Sequence, residues 1–175
     1  LVSRARAAME SLRGVGQERI DEAVTAVAWS IYKPENAKAL AELAVRDTGL
    51  GNVPDKIIKN TRKTFGCLRD LMRVKSTGII EEDPARGLVK YAKPVGVVGA
   101  VCPSTNPAAT PINKIMFALK GGNATIIAPS PAGLNTTAET CRLAREELEK
   151  IEVPGDLIQV LPPPGTKQPT QPLTE

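Results

Sequence analysis

Histidine is absent from the 175 residues. That absence removes Ser-His-Asp triads, Cys-His dyads and His-ligated zinc or haem from the chemistry these residues can perform on their own. Cysteine is scarce. Cys67, Cys102 and Cys141 are odd in number and far apart, so no CxxC pair can hold zinc or exchange dithiols, and no disulfide framework is expected. Three reduced thiols fit a cytoplasmic protein. Aromatics are only 3%, which leaves Ala, Val, Ile and Leu to build the core, as in helix-rich α/β proteins. No apolar run reaches the roughly 18 residues of a membrane span and no signal peptide is evident, so no membrane role is expected. Blocks of one charge sign are missing as well. The net charge is +4, but Lys and Arg alternate with acidic residues and lack interleaved aromatics, so no nucleic-acid partner is expected and metal ligands are not apparent.

What is present is 42% hydrophobic and 24% charged residues, a balance that excludes disorder and predicts a globular fold. The first 80 residues read as helices. Residues 2–12 are rich in Ala and Arg and end at Gly14-Val15-Gly16. Over residues 18–32, Ile20, Val24, Val27, Ala28 and Ile31 form one helical stripe. Pro34 suits the first turn of a third helix, with Leu40, Leu43 and Ala44 inward and Gly49 as its stop. A fourth helix is expected over residues 54–75, where Ile57, Thr61, Phe65, Leu68 and Met72 recur at helical spacing; Cys67 is expected in the core.

After Gly78 the pattern changes. Asp83-Pro84 and Gly87 mark turns, and residues 88–93 alternate like a half-exposed strand. Residues 95–102 are continuously apolar, which predicts a parallel strand buried on both faces. Ile112, Ile115, Met116 and Leu119 then define the inner face of a helix, stopped by Gly121-Gly122-Asn123. Residues 124–128 form a second strand. A further helix opens with Thr136 and Glu139 spaced as a capping box and buries Ala138, Cys141, Ala144, Leu148 and Ile151. Residues 157–161 form a third strand. The resulting class is α/β: a helical N-terminal layer plus the first half of a doubly wound, Rossmann-like parallel sheet. In domain terms, residues 1–80 are the N-terminal helices, 81–94 a turn and strand, 95–161 the first βαβαβ unit, and 162–175 an irregular tail. Half a sheet leaves an uncovered edge. With Leu1 in place of Met, the chain is expected to be a fragment of a larger protein.

Ligands of an open parallel sheet bind beyond the carboxyl ends of its strands. The segment Pro103-Ser104-Thr105-Asn106-Pro107 lies at such an end. Its small polar side chains and free amides suit a pyrophosphate, a ribose or a developing oxyanion, and equally suit an Asx-type turn that only feeds the helix. No G-x-G-x-x-G fingerprint occurs there. Cys102 has no activating His or adjacent Lys and reads as a packed thiol.

The run Lys93-Pro94-Val95-Gly96-Val97-Val98-Gly99-Ala100-Val101-Cys102-Pro103-Ser104-Thr105-Asn106-Pro107, followed by Lys114, Ala118-Leu119-Lys120 and Gly122-Asn123-Ala124, resembles the aldehyde dehydrogenase superfamily. Thr105-Asn106-Pro107 and Ala128-Pro129-Ser130-Pro131 resemble its CoA-acylating branch, as do Asp47-Thr48-Gly49-Leu50-Gly51 and Asp55-Lys56-Ile57-Ile58-Lys59-Asn60 upstream. The resemblance spans residues 1–161. It implies oxidation of a small aldehyde through a cysteine thiohemiacetal, hydride transfer to NAD or NADP, and transfer of the thioester to coenzyme A. It places the nucleophilic cysteine in a second domain outside this chain, so the chain alone is expected to be inactive. Asn106 becomes the oxyanion donor with Thr105 as its rival, since the family's usual Asn-Phe-Pro is shifted here by one position. Pro103, Ser104, Thr105, Asn106, Pro107, Ser130 and Pro131 become cofactor contacts, with Ala128 standing where the wider family has a ribose-gripping lysine. The strand at residues 88–93 becomes an oligomerisation arm of a homo-oligomer, either dimer or tetramer. A catalytically silent nucleotide-binding or assembly module of the same fold is the alternative.

Overall fold

A computed structural model describes residues 1–162; the tail expected beyond Pro162 lies outside the described residues. Six α-helices and five strands follow in order: α1 (Val2–Met9), α2 (Gln17–Tyr32), α3 (Pro34–Thr48), α4 (Val53–Met72), β1 (Gly78–Asp83), β2 (Leu88–Ala92), β3 (Val97–Val101), α5 (Ala109–Lys120), β4 (Ala124–Ala128), α6 (Leu134–Lys150) and β5 (Ile158–Val160). No helix among the described residues is long and apolar enough to cross a membrane.

The strands form two separate sheets. β3, β4 and β5 make a parallel sheet in that order, with Val97 opposite Ala124 and Thr125 opposite Ile158. α5 and α6 are its crossover connections. α1 packs on β3 and β4, while α2 lies across α5 and α6 and adds a further helical layer. Ile20, Val24, Val27, Ile112, Ile115, Met116, Leu119, Leu148 and Ile158 meet in one core. The mixed fold with a helical layer and a three-stranded parallel sheet is therefore the observed one. β1 and β2 pair antiparallel outside that sheet. β1 escapes the sequence pattern because Gly-Ile-Ile-Glu-Glu-Asp does not alternate. Its turn is held by Asp83 Oδ1, which accepts from Arg86 N at 3.1 Å, and by Gly87 at φ +63°.

Three local expectations are corrected. β3 is not buried on both faces: β4 is fully buried, but β3, one of the sheet's two edges among the described residues, has Val101 63% exposed, whereas the other edge, β5, is buried at Ile158 and Gln159. α4 is rotated from the predicted stripe. Lys56, Asn60 and Thr64 face inward, Phe65 faces out, and Cys67 is only half-buried. The reason is that α4 meets backbone carbonyls: Asn60 Nδ2 donates to Ala37 O at 3.1 Å, and a buried carbonyl needs a donor. α6 has no Thr136/Glu139 capping box. It opens at Leu134, Glu139 pairs with Arg142, and Thr136 bonds to Asp47.

Asn123 positions the start of β3. Its Oδ1 accepts from Val95 N at 2.7 Å and Gly96 N at 2.9 Å, so the side chain replaces ladder bonds that Pro94 cannot extend. Gly96, at φ +121°, supplies a conformation closed to residues with a Cβ.

Candidate functional site

Parallel strands β3 and β4 end side by side. Cys102 N extends the ladder by donating to Ala128 O at 2.8 Å, and the chain then leaves the sheet in two neighbouring loops. The first holds Pro103, Ser104, Thr105, Asn106 and Pro107, and the second holds Ser130 and Pro131. Their contact is close: a Cβ on Gly133 would lie 2.7 Å from Pro107 Cβ. Thr137 Oγ1 also donates to Pro107 O at 2.9 Å. The sequence candidates thus converge at one end of the sheet, although their surfaces differ. Pro103 and Thr105 are exposed, Ser104 and Asn106 half-buried, and Pro107 is buried beneath the loop as a packing wedge. Ser130 Oγ accepts from Gly133 N at 3.2 Å and caps a short 3-10 turn that starts at Pro131.

The two crossover helices present different amino ends to this crevice. That of α6 is already neutralised. Asp47 Oδ2 accepts from Thr136 N and Thr136 Oγ1, each at 2.7 Å, and Asp47 Oδ1 accepts from Asn135 Nδ2 at 3.2 Å. A carboxylate there satisfies the positive end of the helix dipole and takes the place an anionic ligand would need. The amino end of α5 carries no side-chain cap. Asn106 O accepts from Thr110 N at 3.3 Å, which puts Asn106 immediately before the first turn, where partial positive charge accumulates.

Two lysines hold carbonyls at this end of the sheet, one at the end of β3 and one in the first loop. Lys114 Nζ donates to Val101 O, and Lys56 Nζ donates to Thr105 O at 3.3 Å. The motifs quoted above contain both residues, yet periodicity assigns them no task. Lys56 lies outside the predicted apolar stripe of α4, so the pattern carries no signal of its role.

Cys102 borders the loop as a packed, buried thiol. It is 2% exposed, its thiol faces Ala100 O at 3.7 Å, and burial pushes it from the ordinary 9.0 up to about 11 against the partial pull of Lys114. Cys141 is raised further by complete burial, and Cys67 is raised by burial and Asp70. Between those ordinary and native values the unfolded chain loses thiol protons that the native chain keeps. The part of the stability that depends on these buried thiols is therefore fully present below about pH 9 and is lost as pH rises toward 11. Urea unfolding at about pH 8 and about pH 10.5 checks this: the midpoint should drop, and Cys102→Ala should reduce the drop.

The sequence profile of the aldehyde dehydrogenase family matches residues 1–174. Sulfoacetaldehyde dehydrogenase (acylating) of Cupriavidus necator is 51% identical over 97% of this chain, covering 34% of that protein. Sulfoacetaldehyde dehydrogenase of an Acholeplasma species is 47% identical over 94% of this chain and 34% of its own length. The solved acetylating aldehyde dehydrogenase of Geobacillus thermoglucosidasius superposes with a TM-score of 0.86 at 36% identity, over 91% of this chain and 35% of that one. The chain spans about a third of the relatives it matches. With the fold, the loop at the strand ends and these likenesses in agreement, the chain belongs to the aldehyde dehydrogenase family.

Proposed function

We propose that this chain supplies the cofactor crevice and the oxyanion loop of a CoA-acylating aldehyde dehydrogenase, whose nucleophilic cysteine lies outside residues 1–162. The observation that carries this reading is the position of Asn106, at the carboxyl end of β3 and the uncapped amino end of α5. The acylating activities named for the relatives support it.

In the proposed reaction the thiolate adds to the aldehyde carbon and the carbonyl oxygen becomes an oxyanion. Asn106 Nδ2 donates to that oxygen. Its backbone is held already, so little reorganisation accompanies charge development. Collapse of the oxyanion expels hydride and leaves a thioester, and the coenzyme A thiolate then displaces the enzyme thiolate. The sum is aldehyde, coenzyme A and NAD(P)+ giving acyl-CoA, NAD(P)H and a proton. NAD or NADP, when bound, supplies the hydride acceptor. The crevice fits such a group, because its one uncapped helix end and its small polar side chains lie on the same side of the sheet. Ser104, Thr105 and Asn106 would meet the dinucleotide over Pro103 and Pro107, with Ser130 and Pro131 forming the adjacent wall.

The hairpin β1–β2 is the proposed oligomerisation arm. Leu88, Val89 and Tyr91 are 59%, 49% and 58% exposed on it, apolar area that a second copy would cover.

The test joins this chain to the remaining two thirds of the Cupriavidus necator relative and follows NAD(P)H formation with a small aldehyde, with and without coenzyme A. The joined protein should turn over only with coenzyme A, and residues 1–175 alone should show no turnover. A folded, inactive joined protein would favour the silent module.

A further inference from the structure

We infer that Lys56 is a positioning residue: from helix α4 it fixes the Thr105–Asn106 peptide and thereby aims the Asn106 amide into the crevice. The inference rests on the oxyanion role proposed above and extends it to a helix separated from the loop by the whole β1–β2 hairpin.

Lysine is almost never buried without a partner, yet Lys56 is 5% exposed. Among the described residues no carboxylate pairs with it; its acceptor is Thr105 O, at 3.3 Å. An apolar residue would pack at this position at lower desolvation cost, so what the amine adds here is its donor. Burial, with the Lys59 charge nearby, pulls its pKa down, as expected for an amine buried without an opposite charge. The surrounding chain is arranged to bring it there. Asn52 caps α4 by accepting from Asp55 N at 2.9 Å, and Asn52 Nδ2 returns a bond to Asp55 Oδ2 at 2.7 Å. That fixes the first turn, and Lys56 follows directly. Gly51, at φ +71°, passes over the lysine stem, where an added Cβ would come within 3.6 Å of Lys56 Cε. Upstream, Asp47 anchors the same segment to α6.

The consequence for Asn106 is geometric. Thr105 C=O and Asn106 N–H belong to one peptide plane, so holding the oxygen holds the plane from which Asn106 Cα projects. On the other side, Asn106 O is held by Thr110 N. With both flanking peptides fixed, only the side-chain torsions of Asn106 stay free, which narrows the directions its amide can take before substrate arrives.

Two measurements test this. In the present chain, Lys56→Met should speed hydrogen exchange at the Thr110 amide by about 10-fold and leave the Thr136 amide unchanged. In the joined enzyme, Lys56→Met should slow single-turnover acylation by about 10- to 100-fold with a much smaller change in the aldehyde KM. In an Asn106→Ala background the same substitution should have less than about a 2-fold effect, because the group it positions is gone. Lys56→Gln, which keeps an N–H donor, should recover part of the rate and serves if Lys56→Met does not fold. Unchanged Thr110 exchange, or full additivity of the two substitutions, would overturn the inference. A joined enzyme with no turnover counts against the oxyanion reading, and the exchange experiment then decides the lysine's role alone.

Discussion

Asn106→Ala in the joined enzyme will slow acylation by ~10² to 10³, while aldehyde and dinucleotide binding change far less. The size follows from what is removed. A donor aimed at a developing oxyanion contributes ~3 to 4 kcal/mol to the transition state and little to the ground state, so the loss falls on the rate and not on KM. Thr105→Ala is the control. Thr105 is exposed, and in the structure its part in the loop is to offer its carbonyl to Lys56, which alanine also does. It should stay within about 3-fold of the unsubstituted rate. A reversal, with Thr105→Ala crippling and Asn106→Ala mild, would move the donor by one residue and leave the family assignment standing.

Ile115→Ala will destabilise the chain by about 3 kcal/mol, within the ~2 to 5 kcal/mol range for truncating a buried aliphatic side chain. Ile115 is fully buried on α5, a helix packed against α2, α4, α6 and β4 at once. A cavity there cannot close by movement of one neighbour without disturbing another, which places the cost above the low end of the range. Urea titration of the two proteins checks it. A loss under about 1 kcal/mol would mean that α5 is not the centre of the core.

Much of this architecture is legible in the sequence because burial imposes a period. The stripe Ile112, Ile115, Met116 and Leu119 is fully buried as predicted, and the strand at Ala124–Ala128 has the predicted bounds. Gly49 ends α3 in the left-handed conformation at φ +65°, a stop that few other residues could make. Periodicity fails where the neighbour is polar. Lys56, Asn60 and Thr64 face inward on α4 because carbonyls await two of them, and no hydrophobic pattern records a carbonyl contributed by another segment. Thr136 escapes the pattern for the same reason: its partner, Asp47, lies 89 residues away.

At the candidate site, the sequence indicates which residues stand at the strand end, since the turn must follow the strand. It does not indicate that Asp47 fills one helix end while the other stays uncapped, nor that Lys56 reaches Thr105. Those facts depend on how α3 packs on α6 and α4 on α5. Cys102 reads as a packed thiol from the absence of histidine and of an adjacent lysine, and its burial agrees.

The division of labour between this chain and the remainder of the enzyme is tested most directly by locating the thioester. The joined enzyme, supplied with aldehyde and NAD(P)+ but no coenzyme A, is digested at mildly acid pH, and its peptides are weighed. The acyl group should be found on one cysteine outside residues 1–162, with Cys67, Cys102 and Cys141 unmodified, and Asn106→Ala should slow its appearance without moving it. An acyl adduct on Cys102 would contradict this assignment.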